Sequence, residues 1–150
     1  MSFATSPEQV RQFVDEMYAA WSRHEPDRLD AILHDDAVHE NVASGHMCHG
    51  KDEIKQLING AVGFSSDFRS TMTTLTIAGD TAMTEWIIEG THTGPVATPS
   101  GPVPESGRNF RLRGASLILF KESKIARVTD YYDMATFLKQ LGCTIRRPGA

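Results

Sequence analysis

The chain has few cysteines, little net charge and no long apolar run, and each shortage excludes a class of protein. Cys48 and Cys143 are the two cysteines among its 150 residues, too few for a disulfide framework, so we expect a reduced, cytoplasmic protein. The formal net charge of −4 gives no attraction to nucleic acid or to an anionic membrane. No segment approaches the roughly 18 consecutive apolar residues of a membrane helix. The first residues lack a basic segment followed by an apolar run, so we also expect no secretory signal.

What the chain does have is 40% hydrophobic residues, enough for one core, and we expect a single domain over residues 1–150. The first half predicts three helices around one short strand. Ser6 and Pro7 begin a helix that carries apolar residues at helical spacing up to Trp21. Pro26 begins a second helix, with Leu29, Ile32 and Leu33 on its apolar face, which ends at Asp35-Asp36. A strand over 37–42 and a loop over 43–50 precede a third helix from Lys51.

The second half predicts four strands, over residues 68–77, 82–93, 109–120 and 124–132, because β-branched and alternating apolar residues replace the helical spacing. The connection 94–107, rich in proline and glycine, is a candidate lid or rim. A short helix over 134–141 closes the domain, and residues 143–150 form a frayed tail. Helices that pack against an antiparallel sheet make an α+β fold. A curved sheet wrapped by helices forms a cone whose open mouth suits a ligand pocket.

Three polar markers lie within this second half. They are Gly90-Thr91-His92-Thr93-Gly94, the loop end Gly107-Arg108, and the acidic strand end Asp130 to Asp133, which runs on to Gln140-Leu141-Gly142. In this order they resemble the SnoaL-like polyketide cyclase (ester cyclase-like) group of the nuclear transport factor 2-like superfamily. That resemblance covers nearly the whole chain. It implies a cone-shaped fold with a curved antiparallel sheet, three N-terminal helices and a short C-terminal helix.

The resemblance also implies catalytic residues. The related cyclases use an aspartate near the end of the last strand as general acid/base, helped by a histidine on the preceding strand. Asp130 matches that aspartate, with Asp133 a near alternative. Ser116 stands where the histidine falls, so His92 or a loop histidine would have to substitute for it. Ketosteroid isomerase, a relative with the same fold, places its oxyanion-hole tyrosine at Tyr18 and its catalytic aspartate at Asn41.

The residues support acid/base chemistry on physical grounds as well. A carboxylate in an apolar cone is desolvated, which raises its pKa. Such a group abstracts a proton next to a carbonyl if donors stabilise the developing enolate. We expect Asp130 to be the base, with Tyr18, Asn41 and His92 as donors, and we expect no cofactor. The residues expected to contact the substrate are Trp21, Trp86, Phe110, Ser116, Tyr132 and His46.

Other roles for the same residues remain open. Asp133 precedes the last helix and is a good N-cap. Asp130 has Arg111, Arg113 and Arg127 as alternative partners in an ion pair on the outer sheet face. His39, His46, Cys48 and His49 are close enough in sequence to suggest a metal site, but His-x-Cys-His is not a zinc spacing, so we favour no metal.

Two functions follow from these observations. The first is a cofactor-independent acid/base enzyme of the cyclase, isomerase or dehydratase type, acting on a small, largely apolar carbonyl compound. The alternative is a non-catalytic domain that binds a small ligand or another protein. The expected partners are a small apolar or aromatic ligand and a second copy of the chain. We expect that homodimer to form through the outer sheet face, where Ile87, Leu117 and Leu119 accompany Glu85 and Glu89.

Overall fold

The computed structural model describes residues 5–149; residues 1–4, which bear on the expected lack of a secretory signal, and Ala150 of the tail lie outside them. The elements in chain order are α1 (Pro7–Arg23), a 3₁₀-helix (Pro26–Ala31), β1 (Leu33–Asn41), β2 (His46–His49), α2 (Gly50–Phe64), β3 (Arg69–Ala78), β4 (Thr81–Thr91), β5 (Asn109–Lys121), β6 (Lys124–Tyr132) and α3 (Met134–Gln140). This is an α+β fold with one curved, six-stranded sheet. Residues 143–149 form neither helix nor strand.

The sheet has the strand order β2-β1-β6-β5-β4-β3. Its strands are antiparallel except for β1 and β6, which run parallel. The last strand therefore lies between β5 and β1, and residues from the two ends of the chain become neighbours. Asp130 on β6, for example, is opposite Ser116 on β5 and Asn41 on β1.

The predicted second helix is wrong beyond its first turns. The structure has a 3₁₀-helix there, and Leu33 and Asp35-Asp36 belong to β1. The two aspartates do not end a helix, because they are exposed residues of a strand whose pairing with β6 is interrupted between Leu33 and Val38. A bulge of this kind hides the two-residue period of a strand.

The predicted loop 43–50 is also wrong in part, since it contains β2. The backbone N–H of Gly45 donates to the carbonyl of Asn41 at 2.8 Å, and Gly45 has a φ of +75° that favours glycine. This tight turn folds β2 back against β1, so the sheet has six strands instead of the predicted five. The short hairpin brings His46 close to Asn41, its partner in the register.

The core lies between the helices and one face of the sheet. Ser6 caps α1 by accepting from the Gln9 backbone N–H at 3.2 Å, and the helix buries Val10, Val14, Met17 and Ala20. A second cluster, which contains Phe68, Phe110, Leu112, Phe137 and Leu141, attaches α3 to the sheet. Among the described residues no helix is both long and apolar enough to cross a membrane.

Asp133 is the N-cap of α3. From the sequence this role was left open, beside that of an alternative to Asp130 in the site. Its Oδ1 accepts from the backbone N–H of Ala135 at 2.9 Å, and its Oδ2 accepts from the Thr136 hydroxyl at 2.7 Å. These hydrogen bonds, led by that of Thr136, lower the pKa of the Asp133 carboxyl. Asp133 is therefore committed to the helix end and does not line the pocket described next.

Candidate active site

A cavity of about 730 Å³ lies between the helices and the sheet. Its walls are mostly apolar, and aromatic residues come from the three α-helices, from the connection between α2 and β3, and from the sheet: Trp21, Phe64, Phe137, Phe68, Trp86 and Tyr132. Asp130 is the one aspartate or glutamate among the described residues that line it, and these include no lysine or arginine. The cavity thus combines a hydrophobic interior with a single carboxylate, an arrangement typical of small-molecule sites.

A row of polar side chains crosses the sheet through Asp130. Residues opposite one another on neighbouring strands point to the same face, and the register from β4 to β2 places five polar residues in line: Thr84, Ser116, Asp130, Asn41 and His46. Four of them line the cavity, and the fifth, Thr84, is buried beside it. The row was partly predictable, because Asp130 and Ser116 were matched to the aspartate and the histidine that act together in the related cyclases.

Both carboxylate oxygens of Asp130 make short hydrogen bonds. The Ser116 hydroxyl donates to Oδ1 at 2.6 Å, and the Nε2 of His39 lies 2.6 Å from Oδ2. The indole N–H of Trp86 donates in turn to the Ser116 oxygen at 2.8 Å. The His39 side chain is only 5% exposed and that of Asp130 20%, so this pair lies in a poorly hydrated part of the cavity, where hydrogen bonds are strong.

Two tyrosines bring hydroxyl groups to the cavity. The Tyr18 hydroxyl lies 2.7 Å from the Oγ1 of Thr84, and burial raises the pKa of Tyr18 well above its usual range. The Tyr132 oxygen accepts from the Asn41 amide at 2.9 Å, and burial raises the pKa of Tyr132 as well. Since Asn41 donates in that bond, the Tyr132 proton remains for another acceptor. Both phenols therefore stay protonated, and Tyr132 keeps its proton for a further hydrogen bond.

The structure places most of the expected site residues on the cavity wall. Those that line it are Tyr18, Trp21, Asn41, His46, Trp86, Ser116, Asp130 and Tyr132. Asp130 does not make the alternative ion pair outside, because Arg111 pairs with Glu89, Arg113 with Glu85, and Arg127 with Glu40. The acid/base roles themselves stay predictions.

Two expected residues, His92 and Phe110, do not line the cavity. Phe110 is a core residue, packed against Phe64 and Phe137 with ring centroids 5.6 and 5.5 Å apart. His92 is fully buried, and its Nδ1 accepts from the Ser106 backbone N–H at 3.1 Å. His92 follows the last residue of β4, and this hydrogen bond holds its ring in the interior. His92 therefore does not take the place of the histidine that the related cyclases have and for which this chain has Ser116.

His92 instead anchors the connection 94–107, which we call the strap. The backbone N–H of Gly107 donates to the His92 carbonyl at 2.9 Å, and Val96 pairs with Val103 as an isolated bridge. At the other end, the Gly94 N–H donates to the Phe64 carbonyl of α2 at 3.0 Å. Residues 95–99 of the strap line the cavity. The predicted lid or rim is therefore a wall of the site in this structure.

The sequence did not identify His39 as a partner of Asp130. Its position was considered only for a metal site, and no group of three potential metal ligands occurs within residues 5–149. Cys48 was one of the residues that suggested a metal site. It is a buried core residue, and burial raises the pKa of its thiol. A signal did exist, since Ala37, His39 and Asn41 alternate along one strand. What the sequence lacked was any indication that this strand pairs with the last one.

Comparisons with known proteins agree with this fold. No curated protein matches the sequence significantly. TsrD from Streptomyces laurentii superposes with a TM-score of 0.81 at 25% identity, covering 93% of this chain and 98% of that one. A putative SnoaL-like polyketide cyclase from Jannaschia sp. CCS1 gives 0.80 at 13% identity, covering 93% and 97%.

An epoxide hydrolase of M. tuberculosis, described as similar to limonene epoxide hydrolases, gives a TM-score of 0.67 at 19% identity, covering 89% of this chain and 90% of that one. Proteins described with different activities therefore share this fold, and the fold alone does not assign a reaction. The sequence match is more specific than the fold. The family model for SnoaL-like polyketide cyclases matches residues 8–141, and the chain belongs to this family.

Proposed function

We propose that the protein is a cofactor-independent acid/base enzyme that acts on a small, largely apolar carbonyl compound by cyclisation, isomerisation or dehydration. The observation that carries this proposal is the Asp130–His39 pair, which joins a carboxylate to an imidazole on the wall of a cavity of about 730 Å³. Family membership supports the same reaction class, because proton transfer next to a carbonyl is the first step of such cyclisations.

The proposed reaction begins with removal of a proton from the carbon next to the substrate carbonyl. The C–H electron pair then forms an enolate, whose oxygen needs hydrogen-bond donors. Tyr132 supplies a phenolic proton at the cavity, because its oxygen accepts from Asn41 and its own proton has no partner in that bond. The aromatic walls favour a flat or cyclic substrate, and the lack of lysine and arginine among the described lining residues disfavours an anionic one.

Proton abstraction is testable without knowing the natural substrate. We choose 2-tetralone, a flat bicyclic ketone with acidic α-hydrogens, and follow its α-deuteration in D₂O by NMR. We expect wild-type protein to accelerate exchange above the buffer rate and Asp130→Asn to reduce that acceleration at least about 100-fold. Asp133→Asn is the matched control, because asparagine also caps helices and position 133 lies away from the cavity; it should exchange like wild type.

The same assay distinguishes the alternative function. If 2-tetralone binds, as shown by quenching of the tryptophans that line the cavity, but is not deuterated faster than in buffer, the protein binds ligands passively. Equal exchange by wild type and Asp130→Asn would also contradict the proposal, because the carboxylate would then take no part in the reaction.

A further inference from the structure

The hydrogen-bond directions around Asp130 distinguish the roles of the two members of the pair. An indole N–H only donates, so Ser116 must accept from Trp86 through its oxygen. The Ser116 proton is then left to donate to Oδ1 of Asp130. Oδ1 is thus an acceptor that bears no proton, and the single proton in the remaining 2.6 Å contact lies between Oδ2 and the Nε2 of His39.

That proton belongs to the imidazole. In model peptides a histidine holds its proton more tightly than a carboxylate does, and the Ser116 hydroxyl already donates to the carboxylate at Oδ1. His39 therefore donates from Nε2 to the carboxylate, and its neutral form carries its lone pair on Nδ1. The ring orientation is further held by Trp21, whose centroid lies 6.4 Å away.

The Nδ1 of His39 keeps accessible surface on a residue that lines the cavity. It makes no hydrogen bond within the described residues. A fully buried Nδ1 would therefore be a buried polar atom without a partner, but His92 Nε2 is the one such side-chain atom in residues 5–149. Nδ1 must therefore keep some accessible surface, and His39 is among the residues that line the cavity. His39 thus brings a nitrogen with no protein partner to the cavity wall.

We infer that His39, and not Asp130, takes the proton from the substrate carbon, and that Asp130 is a positioning residue that acts through His39. The inference rests on the proposed function. In the step, the proton passes to Nδ1, the C–H electron pair becomes the enolate, and the Nε2–H bond to Asp130 remains intact. The carboxylate then stabilises the imidazolium that has formed, while the proton on Nδ1 is available for return to carbon or oxygen.

The histidine tautomer tests the inference independently of activity. Long-range ¹H–¹⁵N NMR of the neutral His39 ring should show the proton on Nε2 in wild type. In Asp130→Asn, the atom that faces the Ser116 proton must be the amide oxygen, so the amide N–H₂ faces Nε2 and donates to it. The proton on His39 should then move to Nδ1, which blocks the basic nitrogen. A wild-type ring protonated on Nδ1 overturns the inference.

The second measurement is α-deuteration of 2-tetralone by His39→Gln. Glutamine keeps an N–H donor for Asp130 but has no basic nitrogen, so we expect at least about a 100-fold loss of the acceleration. His49→Gln is the matched control, since His49 is an exposed residue outside the cavity wall, and its activity should equal that of wild type. In His39→Ala, added imidazole should restore exchange with saturation, which a purely structural role for His39 would not predict.

The outcomes separate the two proposals. His39→Gln with wild-type exchange, while Asp130→Asn is inactive, overturns the inference and leaves Asp130 as the base of the proposed enzyme. No exchange by wild type contradicts the proposed function itself, and the tautomer then decides alone whether His39 presents a basic nitrogen to the cavity.

Discussion

At the scale of single residues, the site depends on polar groups that have one hydrogen-bond partner inside the protein and one donor or acceptor still free. Tyr132 and His39 each use one side of the group in the interior, and the directions of those bonds determine what remains for a ligand. Tyr18 differs, because its hydroxyl and that of Thr84 satisfy each other at 2.7 Å. Tyr18 is thus the residue where stability and site geometry are most directly linked.

We expect Tyr18→Phe to lower the free energy of unfolding by about 1–3 kcal/mol at neutral pH, because it leaves the buried Thr84 hydroxyl without its partner. The pKa of Tyr18 is raised in the folded protein, so the wild type keeps its full advantage below the unfolded-state value near 10 and loses it as the pH rises further. The difference between the two proteins should therefore shrink above pH 10. Urea unfolding from pH 7 to pH 11 measures it.

A constant difference across that range would contradict the burial of a protonated phenol at this position. It would show instead that the effect of Tyr18→Phe comes only from packing.

At the scale of elements, Gly114 allows β4 and β5 to build the polar row. Trp86 lies opposite Gly114 in the register and covers it, and a Cβ at that glycine would lie 2.2 Å from the indole ring. The indole thus crosses β5 and reaches the Ser116 oxygen with its N–H. A larger residue at position 114 would remove the donor that fixes the Ser116 hydroxyl toward Asp130.

We expect Gly114→Ala to displace Trp86, lower stability by about 1–3 kcal/mol because of overpacking, and reduce 2-tetralone exchange. Tryptophan fluorescence and urea unfolding measure the first two effects. Gly63→Ala is the matched control: Gly63 lies in α2, where a Cβ meets nothing within 4 Å, and alanine is the better helix former. Unchanged fluorescence in Gly114→Ala would show that the indole does not depend on this glycine.

The elements also show what the sequence could and could not predict. Local patterns predicted α1, α2, β3 to β6 and α3 within a few residues. The parallel pairing of β1 with β6 joins residues about 90 positions apart, and no local pattern encodes it. His39 was missed for that reason. His92 was assigned to the pocket because alternation along the strand predicted over 82–93 put it on the face of Trp86, whereas β4 ends at Thr91.

At the scale of the whole molecule, no helix within residues 5–149 covers the outer face of the sheet around β4 and β5. Met83 is 43% exposed and lies opposite the half-buried Leu117, with Leu119 and Ile87 on the same face. Both charge signs border this apolar group, because Glu89 pairs with Arg69 and Arg111. A surface with both signs around an apolar centre is self-complementary under a two-fold axis. We propose that this face binds a second copy of the chain.

The proposal predicts that Leu117→Glu weakens a dimer seen by sedimentation velocity, raising its dissociation constant at least about tenfold, because each copy would bury an unpaired carboxylate. Gln12→Glu adds the same charge to the exposed face of α1 and should leave the dimer unchanged. Circular dichroism separates loss of the dimer from loss of the fold. A wild type that sediments as a monomer contradicts the proposal. The cavity opens on the other face of the sheet, so Leu117→Glu should retain 2-tetralone exchange if each copy carries a complete site.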